Sequence, residues 1–176
     1  VVQASVKRFT WLLVNLGTAI LASLVIGLFD GTLEEMVALA ILMPIVASMG
    51  GNAGTQTLTI TVRALATKEL TAYNAFRTLR KEFAVGLLNG VVFAVLAGVV
   101  VVIWFNQLDV RYLLGGIIAG AMIINMMVAG IAGVALPLML DRMGIDPAVA
   151  SGVFVTTVTD VIGFFAFLGL ASAILL

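Results

Sequence analysis

The chain has 176 residues, 62% of them hydrophobic and 10% charged, with a mean hydropathy of +1.24, too few charges to cover a soluble domain of this size. Nine Lys and Arg balance nine Asp and Glu, so charge gives no sign of nucleic acid as a partner. Cys and His are absent, which excludes disulfides, thiolate and iron–sulfur sites, His-ligated haem and His-based catalysis, and leaves oxygen donors suited to hard ions such as Mg²⁺, Ca²⁺ or Mn²⁺.

Apolar runs longer than ~18 residues, each enough to cross ~30 Å of hydrocarbon as a helix, predict an all-α membrane protein with five transmembrane helices. Lys7 and Arg8 precede the first run, which is too long and too polar-spotted for a signal peptide. The chain starts at Val1, and the expectation is an excised fragment, a single pore domain over 1–176, whose N-terminal remainder lies on the side of Lys7. The first span covers 9–29, with Trp11 at interface depth and Asp30-Gly31 at its close. The second, 34–62, holds Pro44 and then Met49-Gly50-Gly51-Asn52-Ala53-Gly54-Thr55-Gln56-Thr57. Apolar spacing through Leu70, Tyr73, Phe76 and Leu79 suggests an amphipathic helix over 66–82 on the cytoplasmic surface, its basic residues meeting lipid phosphates. The third span is 83–105, ending near Trp104; the fourth is 112–140, with Pro137 near its end. The fifth, 147–176, opens with Asp146-Pro147, an N-cap followed by a first-turn proline.

Five spans put the termini on opposite sides. Lys7, Arg8, Arg63, Lys68, Arg77, Arg80, Lys81 and Arg142 flank one side and Arg111 alone the other, which predicts a cytoplasmic N-terminus and an external C-terminus. The outer connection after the first span carries Asp30, Glu34 and Glu35; it reads equally as an acidic mouth that concentrates cations and as a solvated loop. Gly86, Gly90, Ala94 and Gly98 recur every four residues in the third span, as do Gly116 and Gly120 in the fourth. Such spacing lets helix backbones approach closely, within one chain or between two.

Asp160 carries the functional argument. The other acidic residues lie in loops or at span ends, whereas Asp160 is about thirteen residues into the fifth span, ~20 Å along the helix at 1.5 Å per residue. A carboxylate there costs at least ~2.5–3.5 kcal/mol on insertion scales, so it faces water, a cation or a partner. No Lys or Arg lies inside a span, leaving two readings: a protonated Asp160 bonded to a neighbouring helix through Asn125, or a wet path in which cations neutralise it. Helical spacing puts Gly152, Thr156 and Gly163 on its face, with Thr156 a candidate oxygen ligand. Asp146 reads as an N-cap and as a candidate ion ligand near the inner mouth. In the second span, Gly50, Gly51, Asn52, Gly54 and Gln56 fit either irregular backbone lining a wet cavity or a Pro44-kinked helix whose amides bond neighbouring helices.

From Pro44 through Gly50-Gly51-Asn52-Ala53-Gly54-Thr55-Gln56, with Thr57-Leu58-Thr59 and Arg63 beyond, the chain resembles the MgtE family of magnesium transporters. Five spans in this order and the lone Asp160 extend the resemblance over essentially the whole chain. It implies a homodimeric channel in the bacterial inner membrane, with one pore on the two-fold axis lined chiefly by spans two and five. It also implies that Asp160 recognises Mg²⁺ retaining most of its water and that Asp146 lies near cytoplasmic Mg²⁺. A cytoplasmic N-domain and paired CBS domains that gate the family's pores are absent from this sequence. Independently, Mg²⁺ prefers octahedral oxygen and dehydrates reluctantly, so two carboxylates across a dimer axis suit a hydrated ion, with Mn²⁺ and Ca²⁺ as competitors.

A proton-coupled divalent-cation transporter with Asp160 as the titrating group is the alternative, although no inverted repeat supports alternating access. An enzyme is not expected, since an aspartyl protease needs paired carboxylates and a serine protease a base that this His-free chain lacks.

Overall fold

The structure, a computed structural model, describes residues 2–71 and 73–175, with backbone alone for residues 2–5, 7 and 8. The side chains of Lys7 and Arg8, and Leu176 at the end of the predicted fifth span, therefore lie outside the described residues. Among those described there are six helices: α1 (Val2–Gly27), α2 (Asp30–Glu35), α3 (Val37–Ala66), α4 (Ala75–Trp104), α5 (Arg111–Arg142) and α6 (Pro147–Leu175). All but α2 are long and apolar enough to cross a membrane. In lipid the backbone must satisfy its own hydrogen bonds, and an uninterrupted helix does so within one segment.

The bundle is built around α5, which packs against α4, α6 and α3, while α1 lies at the edge on α6. At one end Leu39, Leu42 and Val46 of α3, Leu114, Ile117 and Ile118 of α5, and Phe167 and Leu168 of α6 form a fully buried apolar core. Toward the other end the interior turns polar, with Thr57, Thr61 and Glu82 buried. Exposed Leu12, Leu16, Leu24, Leu88 and Leu96 on α1 and α4 suit a hydrocarbon solvent, in which apolar surface carries no penalty.

The α4–α5 pair is held together by missing side chains. A Cβ on Gly86 would lie 2.5 Å from the Met126 carbonyl, one on Gly98 3.2 Å from the Gly115 carbonyl, and one on Gly130 2.5 Å from the Glu82 carbonyl. The four-residue stripe therefore closes a contact inside one chain, where dispersion between backbones does the work that water-driven burial does in soluble proteins. On α5 the stripe meets Met126, Ile123 and Gly115 in turn, whereas Gly116 faces open space and Gly120 lies against Leu170 of α6.

Two expectations need correction. The connection after the first span is partly ordered as α2, stapled by the Gly31 amide donating to Asp30 Oδ1 at 2.8 Å. The predicted surface helix over 66–82 does not form as one element. Lys68 takes a left-handed φ of 60° and the Leu70 amide donates back to the Ala64 carbonyl at 3.0 Å, which ends α3. Asn74 then ties the turn, accepting from the Thr71 amide and donating to the Glu69 carbonyl, both at 2.8 Å. Leu70 is 5% exposed in this turn, whereas Phe76 and Leu79 belong to the first turns of α4. The apolar spacing was real but divided between a buried turn and a spanning helix.

Candidate functional site

The α3 segment from Gly50 to Thr57 is continuous α-helix despite Pro44, so its polar groups are presented by side chains rather than by unwound backbone. Each turn of this helix meets a different neighbour. A Cβ on Gly50 would fall 2.2 Å from Asn125 Nδ2, and one on Gly54 2.6 Å from Val155 Cγ1. A Cβ on Gly51 would have the Thr159 hydroxyl 4.0 Å away, which brings α3 onto α6 one residue from Asp160. Pro44, Ser48, Thr55 and Thr59 lie exposed on the remaining face, their hydroxyls largely satisfied within the helix: Thr55 donates to the Gly51 carbonyl and Thr59 to the Thr55 carbonyl, each at 2.8 Å.

On α6, Asp160 is half-buried at mid-span. Its polar neighbours direct their protons elsewhere. Thr156 donates to the carbonyls of Gly152 and Val153 at 3.0 and 3.1 Å, Thr157 to Val153 at 2.6 Å, and Thr159 to Thr156 at 2.9 Å. Asn125, the neighbour named for a protonated aspartate, donates its amide proton to the Val46 carbonyl at 2.9 Å. The described basic side chains stand at helix ends or in the first turns of α4. Gly152 has open space where a Cβ would be, one turn beyond Thr156 on the Asp160 side.

The predicted site residues thus separate into groups. Asp160, Thr156 and Gly152 share one partly open face of α6, with Gly51 of α3 near its Thr159 edge. Gly50, Gly54 and Gly163 are covered within the chain, Gly50 and Gly163 by the Asn125 side chain held between them. For these three the reason is packing: small residues sit where α3, α5 and α6 converge. Asn52 and Gln56 look away from Asp160 into a cavity against α4. Asp146 caps α6, its Oδ1 accepting from the Ala148 amide at 2.9 Å, and is exposed.

Two polar residues of the interior went unread or misread in the sequence. Glu82 was counted among span-end acids, yet it lies two turns into α4 and is 7% exposed. The signal was present, because Glu82 continues the Gly86-Gly90-Ala94-Gly98 stripe by four residues toward the N-terminus. Asn125 is fully buried with its Oδ1 unpartnered among the described residues, a role that no local pattern announces.

Comparison with known proteins follows the same boundaries. The model of the MgtE family, described as divalent cation transporters, matches residues 43–170. The magnesium transporter MgtE of Bacillus subtilis is 32% identical over 170 residues, covering 97% of this chain and 37% of that protein. The Enterococcus faecalis protein of the same name is 34% identical over 170 residues, and the Thermus thermophilus one 34% over 168, with 37% and 36% of their lengths covered. The chain therefore spans little more than a third of the curated relatives it matches.

Proposed function

Because the chain belongs to the MgtE family of divalent cation transporters, we propose that it forms the pore of a channel that passes hydrated Mg²⁺ down its electrochemical gradient, with Asp160 recognising the ion. The observation that carries this reading is the half-buried Asp160 carboxylate at mid-span, whose polar neighbours all donate to other acceptors. A charge so placed is tolerable when water and a cation reach it. One carboxylate cannot replace six ligands of an ion that dehydrates reluctantly, and a site that leaves the water in place also lets the ion go, as conduction requires.

The pore arises between two copies of the chain. The exposed Ser48, Thr55 and Thr59 face of α3 and the Gly152–Asp160 face of α6 meet their counterparts across a two-fold axis, with Thr156 within a turn of the ion and Asp146 near the inner mouth. Mn²⁺ and Ca²⁺ compete for the same oxygen ligands. The assembly sits in the bacterial inner membrane with the N-terminus of this chain cytoplasmic, where the N-domain and CBS domains of a longer protein would gate it. The role is transport rather than catalysis.

The experiment is Mg²⁺ flux into proteoliposomes for the chain and for Asp160→Ala and Asp160→Asn, with and without a proton gradient. Flux independent of the gradient, with selectivity lost in both variants, is expected. Unchanged flux and selectivity in both would sink the assignment of Asp160. Flux that runs only with the gradient would make Asp160 a coupling group instead.

A further inference from the structure

On the side of α3 away from Asp160, a cavity of ≈ 180 Å³ opens between α3, α4 and α5. Two helical stripes face each other across it. Glu82 and Asn89, seven residues apart on α4, share one face, and Asn52, Gln56 and Thr57 line the opposing face of α3. Among the described residues, no Lys or Arg lines it. Glu82 is 7% exposed, and the contact described for its carboxylate is a single neutral donor, the Thr57 hydroxyl at 3.2 Å from Oε2. Asn52 donates to the Ser48 hydroxyl one turn back on its own helix at 3.3 Å, which leaves its carbonyl oxygen for the cavity.

Glu82 is not a flexible arm that happens to fold inward. Its backbone carbonyl lies against Gly130 of α5, so closely that a Cβ there would be 2.5 Å away, and Gly86 one turn on is pressed equally hard against Met126. The α4–α5 contact therefore fixes the backbone of Glu82 about 10 Å along from the start of α4, with Asn89 about 10 Å further at 1.5 Å per residue. Buried as it is, with 7% of its surface exposed, an ionised carboxylate is costly, and one neutral hydroxyl returns less than removing it from water takes away. Amide oxygens around the same space compound the demand for a partner.

We propose that this cavity is a second cation site, in which Glu82 holds a hydrated divalent cation with the amide oxygens of Asn52, Gln56 and Asn89 around its water shell. The donor set is oxygen only, which suits hard ions. The cavity is many times the space that one water needs, enough for a small divalent ion that is bound through one carboxylate and keeps its waters. The site is distinct from the Asp160 face: α3 stands between them, with Gly51 and Gly54 on α6 and Asn52, Gln56 and Thr57 on the cavity.

Met49 and Met126 line the cavity and report on it directly. The chain carrying Asp160→Asn and Asp146→Asn, labelled with ¹³C-methyl methionine in lipid nanodiscs, is titrated with Mn²⁺ and followed by NMR. Selective broadening of Met49 and Met126 is expected, reversed by excess Mg²⁺, with Met139 about 20 Å further along α5 unaffected. Glu82→Gln keeps an acceptor for Thr57 and should weaken Mn²⁺ binding about tenfold or more, as loss of a metal-orienting charge does. No selective broadening, broadening of all methionines alike, broadening that Mg²⁺ does not reverse, or broadening unaltered in Glu82→Gln would each overturn the proposal and leave a water-filled cavity. If Glu82→Gln does not fold, Asn89→Leu carries the same test from the rim. Because Asp160 is already neutralised, failure here leaves the flux prediction for Asp160 standing, and failure of that prediction leaves this one standing.

Discussion

Replacing Gly50 with Ala adds one methyl group and should be among the most damaging single changes in the chain. The new Cβ would lie 2.2 Å from Asn125 Nδ2, 2.6 Å from its Cγ and 2.8 Å from its Oδ1. Asn125 cannot retreat, because on its other side Gly163 is packed so closely that a Cβ there would be 2.5 Å from the same nitrogen. Either α3 moves away or the amide leaves the Val46 carbonyl, to which it donates at 2.9 Å in a fully buried position. Overpacking costs about 1–3 kcal/mol if α3 yields, and stranding a buried hydrogen-bonding group about 1–3 kcal/mol if the amide leaves, so Gly50→Ala should cost about 1–3 kcal/mol by either route. Gly116, inside α5, has open space around the same position, and Gly116→Ala should be neutral to stabilising by up to about 1 kcal/mol. Thermal unfolding of the purified protein, followed by size-exclusion chromatography after heating, compares the two variants. Asn125→Ala in the Gly50→Ala background should recover part of the loss, since contacting residues are not additive. Equal melting temperatures for Gly50→Ala and Gly116→Ala would refute the wedge, and so would simple additivity with Asn125→Ala.

The α6 cap and the α3 terminus give two smaller expectations. Asp146→Ala should lower stability by about 0.5–2 kcal/mol through loss of the bond to the Ala148 amide, whereas Asp146→Asn, which caps equally well, should hold within a few tenths; the same melting assay checks both, and equal loss would mean that charge rather than capping matters. Lys68→Gly should raise stability by up to about 1 kcal/mol, because Lys68 holds φ at 60°, a conformation that costs an L-residue roughly 1–2 kcal/mol and glycine nothing steric; an unchanged or lower melting temperature would show that the turn tolerates Lys68 for another reason.

Much of this protein could be read directly from its chain. Uninterrupted apolar runs leave a helix no alternative in lipid, which is why five spans were visible, although the helix of the third begins at Ala75, two turns before the position read from the sequence. The Asp146-Pro147 pair marked the start of α6, and the glycine stripe announced a close helix contact before any partner was known. The surface helix over 66–82 failed for a definite reason. Phe76 and Leu79 repeat with helical spacing both in a surface helix and in the first turns of a spanning one, and the left-handed Lys68 that separates α3 from the following turn is not a residue that advertises such a conformation.

The candidate site divides along the same line. Asp160 was legible because its position in an apolar run is itself the anomaly. The neighbouring glycines were not separable by type: Gly50 and Gly51 are adjacent in sequence and chemically identical, yet one is pressed against Asn125 and the other lies at the open edge near Thr159. A rotation of about 100° per residue sends consecutive side chains of α3 to α5, α6 and the α4 cavity in turn, and nothing local says which neighbour occupies which direction.

The sequence by itself determined that the chain has five helices fit to cross a membrane, that without Cys or His its donors suit hard ions, and that one carboxylate lies at mid-span with no basic residue inside any span. These are properties of composition and of a single helix in hydrocarbon, where local physics suffices. Only the tertiary structure decided that the glycine stripe of α4 closes on α5, that Glu82 is drawn inside with it, and that Asn125 ties α5 to α3 rather than to Asp160. Those outcomes depend on how helices are rotated and offset against one another, and close packing between apolar helices is fixed by the shapes of all the surfaces at once.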